Sequence, residues 1–310
     1  IRMPSTIVLN SSNIVGTGNN TFEYKFPSSV SFPNHEIAVE SINLPYSWRN
    51  ISASLGNNVF SYQWYGSSGL ATYTVLIPDG LYELKHVNAL LQNEMIKNGT
   101  YLINSSGKYI YYAEFMVNPQ SYTFDINVFP VPTAAQFNNS GAAQPTVGNT
   151  TEFNGYSVPV ANTKSGTAVW VGFHSANFTP NIQISSTNTF YKIIGFVAGF
   201  STGLNVGTNI NRTSSSTSAP IIQPNANVYL SMSNIDNIYA NPSSIIHSVV
   251  VNTGFGEVIL DRPNEAYFNS LIKGSYNQIR CQFLGSDFNA LNILDPDIVI
   301  VLLIREKNEK

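Results

Sequence analysis

Apolar and polar residues alternate along much of the chain with a period of two. Phe22, Tyr24 and Phe26 stand on one side of a stretch whose other side is Thr21, Glu23 and Lys25. Phe60, Tyr62 and Trp64 repeat the pattern, as do Tyr73, Val75 and Ile77 against Thr72 and Thr74. A longer run carries Tyr109, Tyr111, Ala113, Phe115 and Val117, and the next carries Tyr122, Phe124, Ile126 and Val128. Val228, Leu230 and Met232 form another, and Ile279, Cys281 and Phe283 alternate with Arg280 and Gln282. Successive side chains of a strand point to opposite faces, so each segment predicts a strand with one wet and one dry side. Antiparallel sandwich sheets need such strands.

Two runs break this rule. Ile245 to Val251 and Ile298 to Ile304 are apolar at nearly every position, the first interrupted only by His247 and Ser248. Continuous apolar runs of this length read as strands covered on both faces. In a sandwich the second face has to be covered from outside, and a neighbouring subunit is the obvious cover.

Helical spacing occurs once clearly, from Glu83 to Asn98, where Leu84, Val87, Leu91 and Met95 share a stripe with Leu90 beside it. Pro78-Asp79-Gly80 predicts the preceding turn. Glu83 and Lys97 match the helix dipole, and Gly99 stands where a terminating glycine belongs. A second short helix is predicted near Phe190 to Gly195. Pro130 to Gly166 and Asn211 to Pro220 are poor in alternation and rich in small polar residues, so both predict long surface loops. Many short strands, one clear helix and long connections predict an all-β fold, a single eight-stranded antiparallel jelly roll. It spans residues 1–310 as one domain, with long loops or a small insertion around 130–220.

Composition narrows the function. Charged residues make up 11% of the chain, against about 25% in average soluble domains. Hydrophobic residues reach 43%, so the low charge is not a sign of disorder. A polar but weakly charged surface suits dense packing against copies of itself, because few charges need desolvating. An A/T-rich coding sequence enriches the same residues, and composition does not separate the two explanations. The net charge is −3, and the one positive cluster, Arg305, Lys307 and Lys310, is diluted by Glu306 and Glu309. Tight nucleic-acid binders show a basic face, so no specific nucleic-acid partner is expected. The longest strongly apolar run is well short of the roughly 20 residues of a membrane helix, and no membrane partner is expected. Residues 1–10 lack the charged start and apolar run of a signal peptide. Asn-X-Ser/Thr triplets, such as those at Asn50, Asn98 and Asn177, arise by chance in so Asn- and Ser-rich a chain. One cysteine, Cys281, permits neither an internal disulfide nor a cysteine zinc site.

Candidate chemistry is thin. Gly199-Phe200-Ser201-Thr202-Gly203 matches the G-x-S-x-G nucleophile elbow, which works only where a strand feeds the serine into a helix. The residues after it are not helical, so a chance match is the stronger reading. His35, His86, His174 and His247 have no zinc-binding spacing. His86 is expected on the exposed face of the helix, and His247 as a hydrogen-bonded core or interface residue. Asp295-Pro296-Asp297 places two carboxylates together, read as a solvated turn rather than part of a calcium site. Glu83 and Glu94 give no glycosidase signal. The expectation is no catalytic, metal-binding or cofactor-binding residue, no cofactor and no enzyme.

A resemblance enters here. Pro78-Asp79-Gly80-Leu81-Tyr82 followed by the helix with Asn88-Ala89-Leu90-Leu91-Gln92 resembles a recurrent block of virophage (mavirus-type) and Maverick/Polinton penton, or minor capsid, proteins. So do Ile42 to Trp48, the stretch Phe190 to Phe196, and Val299 to Arg305 after Asp295-Pro296-Asp297. Glu83 departs from the Ser or Thr that often caps this helix. The resemblance implies a vertex subunit of an icosahedral shell, a homopentamer beside a separate major capsid protein, located in the virion and assembled in the host cytoplasm. It brings no catalytic residues to transfer. The alternative is a jelly-roll receptor- or carbohydrate-binding module of a virus particle, with the two long loops as its outer surface.

Overall fold

The computed structural model describes residues 4–66, 69–103, 109–131, 177–208, 210–221 and 225–307. Its strands, in chain order, are β1 (Ser5–Leu9), β2 (Thr21–Phe32), β3 (His35–Pro45), β4 (Val59–Gly66), β5 (Gly69–Leu76), β6 (Leu102–Ile103), β7 (Tyr109–Ile110), β8 (Ala113–Asn118), β9 (Thr123–Val128) and β10 (Phe178–Thr179). They continue as β11 (Asn181–Gln183), β12 (Asn205–Val206), β13 (Arg212–Ser215), β14 (Asn227–Met232), β15 (Ile245–Val250), β16 (Val258–Asp261), β17 (Asn269–Ser270), β18 (Gly274–Leu284) and β19 (Val299–Glu306). The helices are α1 (Leu84–Lys97) and α2 (Phe190–Ile194). None among the described residues is long and apolar enough to cross a membrane. Contacts group the chain into two compact units, 1–49 with 223–310, and 50–222.

The first unit is the jelly roll. One sheet runs β1-β19-β3-β16, with β17 also on β3, and the other runs β15-β14-β18-β2. Every pairing in both is antiparallel. Lettered B to I in chain order, with β16 and β17 together as G, the strands fall as B-I-D-G and F-E-H-C. That is the jelly-roll arrangement, and the fold is all-β as the alternation predicts. The dry sides of the ribbons make the core. Phe22, Val228, Leu230, Met232, Ile279, Cys281 and Phe283 come from one sheet, and Leu9, Ile37, Ile42, Leu44, Ile300 and Leu302 from the other, all sealed from solvent.

The second unit is inserted between β3 and β14. Its sheets are β11-β4-β5, β13-β9-β8, β10-β12 and β6-β7. One core gathers Phe60, Tyr62 and Trp64 from β4, Phe115 from β8, Phe124, Ile126 and Val128 from β9, and Phe190 and Ile194 from α2. α1 adds Val87, Leu91 and Met95, three of the four residues of the predicted stripe; the Leu84 side chain lies outside what is described. Its ends also lie where expected: Glu83 precedes the first turn, and Gly99 follows Asn98 with φ +65°.

Two local expectations are corrected. The long strand predicted across Tyr109 to Val117 breaks between β7 and β8, where Tyr112 turns into the core and is fully buried. The low-complexity stretch 211–220 is not only loop, since β13 pairs along β9 from Arg212↔Val128 to Ser215↔Asp125. Ser and Thr suit an outer strand whose side chains reach water, and low complexity hid the alternation. Most of the predicted loop Pro130 to Gly166 lies outside the described residues, as does His174.

Candidate functional site

The residues around Ser201 form a structural knot. Ser201 Oγ donates to Asn181 Oδ1 at 2.7 Å, the same oxygen that accepts from Thr202 Oγ1 at 3.1 Å and from the Gly203 amide at 2.8 Å. Thr202 Oγ1 in turn accepts from the Ile182 amide at 2.9 Å. The Arg212 guanidinium closes the loop from the other side, donating to the carbonyls of Thr202 and Gly203. The segment continues to β12, not into a helix. The hydroxyl is thus spent on an amide oxygen, which cannot take its proton, and the elbow geometry that activates a serine is missing.

The other polar candidates also have local tasks. His86 accepts the Glu83 amide on Nδ1 at 3.1 Å at the start of α1, so a histidine at N3 makes the contact back to the N-cap amide that a Glu or Gln makes in a capping box. Glu83 pairs with Lys85 at 2.6 Å, which holds its carboxyl below the usual range, and Glu94 pairs with Lys97. The two glutamates stand at opposite ends of α1 and share no cleft. Asp295 Oδ1 accepts the Asp297 amide at 2.9 Å, an ordinary turn closure, while Ser47 Oγ accepts the Asp295 amide at 3.0 Å. Asn50 is buried and exchanges hydrogen bonds with Tyr82 at 2.7 and 2.8 Å. Among the described residues no three His, Cys, Asp or Glu side chains gather to hold a metal ion. Cys281 is buried in the jelly-roll core, and desolvation pushes its thiol up to about 12.

His247 is where sequence reasoning saw only part of the picture. Its Nε2 meets Asp261 Oδ2 at 2.5 Å, joining β15 of one sheet to β16 of the other. A histidine inside an apolar run was the visible signal. Its partner, on the next strand, had none. No nucleophile hydrogen bonds to the other ring nitrogen among the described residues, so the pair lacks the third member of a catalytic triad.

The feature that does stand out is a sheet face. β19 alternates, with Ile300, Leu302 and Ile304 buried in the sandwich, as is Ile298 just before it, and Val299, Val301 and Leu303 half-buried on the outside. Val301 lies between Val8 of β1 and Ser41 of β3, Leu303 between Thr6 and Ala38, and Val299 beside Asn43, which faces Leu260 of β16. Val8 is 49% exposed and Leu260 71%. None of these paired positions is charged. Charge begins at the end of β19, where Arg305 pairs with Glu36 at 2.6 Å and stacks on Phe268. β1, at the border of this sheet, pairs only with β19, so its other edge carries unpaired backbone groups among the described residues.

Comparison with known proteins gives a likeness among solved structures. No protein-family profile matches the chain, and no curated protein matches it. Among solved structures it is similar to a crystal structure of the selenomethionine-labelled mavirus penton protein, with a TM-score of 0.41 and 10% identity over 98% of this chain and 99% of that one.

Proposed function

We propose that this chain is a structural capsid protein, a vertex subunit that assembles as a homopentamer and sits in an icosahedral shell beside a major capsid protein. One observation carries the reading: the outer face of the β1-β19-β3-β16 sheet carries an apolar stripe, Val8, Val299, Val301, Leu303 and Leu260, beside the uncharged Thr6, Ser41 and Asn43, and the fold leaves it at the surface. Water-facing sheet sides in a monomer are polar. Here valines and leucines stand at outward positions of β1, β19 and β16, next to an unpaired strand edge. Covering that stripe with another copy removes apolar area from water at roughly 25 cal/mol per Å², and none of the paired positions along it carries a charge to desolvate. The short sequence blocks that resemble penton proteins support the same reading, since they fall on a turn, on α1, on α2 and on β19 itself.

The chain acts by packing rather than by chemistry. Ser201, the acid pairs and the histidine–aspartate pair are all engaged in holding the fold. The partners are copies of the same chain and the shell protein around the vertex, and the place of action is the virion.

Light scattering on the purified chain tests this. The expected mass is five times the 34.0 kDa of one chain, alone or in mixed assemblies with another shell protein. A species that stays at 34.0 kDa at high concentration and in the presence of shell protein overturns the reading.

A further inference from the structure

We propose that the groove beside β15 binds a neutral carbohydrate. The groove encloses about 490 Å³ within the jelly-roll unit and is lined by Tyr229, Asn241, His247, Ser248, Tyr267 and Phe288, among others. Three observations point to the ligand.

The first is aromatic surface held out to solvent. Tyr267 is 70% exposed, and the Phe288 ring, 42% exposed, lies against Tyr229 at 5.1 Å between centroids, tilted by 36°. Phe288 reaches this position with φ +59°, a left-handed conformation that bulky side chains rarely adopt. The chain therefore sustains strain to present a phenylalanine at the groove. A flat apolar ring in an open groove offers a platform for the C–H face of a sugar.

The second is unused hydrogen-bonding capacity. The Asn241 amide and the hydroxyls of Ser248, Tyr229 and Tyr267 make no hydrogen bond among the described residues. These groups both donate and accept, which matches a ligand carrying many hydroxyls. Asn237, by contrast, is committed to the backbone at Ile245 and Tyr239, and so shapes the wall.

The third is charge. No lysine, arginine, aspartate or glutamate lines the groove, and His247 is engaged by Asp261. Recognition of a phosphate, a sulfate or a sialic acid calls for an unpaired cation. The groove has none, so the ligand is uncharged. That combination of ring platforms, free amide and hydroxyl groups, and neutrality is the chemistry of hexose recognition. The inference is independent of the assembly proposed above.

The test is saturation-transfer NMR on the full chain with glucose, galactose, mannose and N-acetylglucosamine and their short oligomers, with a sialylated oligosaccharide and an uncharged extended peptide as further arms. The expected result is transfer to at least one neutral sugar, with affinity falling tenfold or more in Tyr267→Ala and in Asn241→Ala. Both side chains lie at the groove, and circular dichroism with melting temperatures unchanged from the parent establishes that the variants fold. If either fails that check, Ser248→Ala replaces it in the same assay. No binding of any neutral sugar, binding confined to the sialylated or peptide probe, or sugar binding unaffected by the substitutions overturns the proposal.

Discussion

At the scale of single residues, Gly195 shows how tightly the inserted unit is tied. Its φ is +76°, and a Cβ built on it would stand 2.2 Å from the carbonyl oxygen of Ser218. Its own carbonyl accepts the amides of Thr217 and Ser218. Only glycine combines the left-handed backbone with so close an approach. Gly195→Ala is expected to lower stability by about 1–3 kcal/mol or more, read as a fall in the urea midpoint. Cys281 makes a second prediction. Its thiol is pushed up to about 12 by burial, against an unfolded value near 9. Between those values the unfolded chain loses the proton and the folded chain keeps it, so stability is intact below about pH 9 and declines as pH rises toward 12. The slope from this thiol approaches 1.4 kcal/mol per pH unit, and Cys281→Val should flatten it in urea titrations between pH 8 and 11. Tyr62, raised by the same cause, adds to the decline in both proteins. Of these residue-level facts the sequence showed little. It placed a short helix near Phe190 to Gly195 but not the backbone packed against Gly195, and it marked His247 as odd without its aspartate.

At the scale of elements, much was legible because alternation and the 3.6 period report burial directly. α1 lies within a residue of its predicted ends, and β4, β9, β14 and β18 bury the side that the pattern named. The failures have physical reasons. Tyr112 carries the right residue type to continue a strand, yet core packing turns the chain there, and only tertiary contact decides that. β13 is built from Ser and Thr, whose pattern has no apolar partner to alternate with. β19 is the most informative element, because its apolar run reads as covered on both sides while the chain covers only one. Position parity therefore separates two effects. Leu302→Ala removes a fully buried side chain and should cost about 2–5 kcal/mol. Val301→Ser, on the outward face, should cost the isolated subunit under about 1 kcal/mol. Comparing the urea midpoints of the two variants under conditions where the protein is monomeric checks this; equal losses would mean that the outward face is buried within one chain.

At the scale of the whole molecule, an all-β architecture was readable from the count and spacing of strands, whereas strand order was not. The jelly roll closes through β19 lying between β1 and β3, a pairing between the two ends of the chain that no local signal encodes. Nor does sequence reveal that residues 50–222 form a compact unit with its own core, since β4 and β9 alternate just as β14 and β18 do. Separate cores predict separable unfolding. Leu91→Ala should lower one calorimetric transition and Leu302→Ala another, and a single transition shifted by both would show one cooperative block. The apolar outer face remains the feature on which the functional account depends. Its most direct test is light scattering on Val301→Asp beside the parent chain, with circular dichroism on both. The account predicts a folded Val301→Asp subunit, because that side chain points out of the sandwich, that stays at 34.0 kDa while the parent assembles. A folded Val301→Asp chain that assembles like the parent would contradict it.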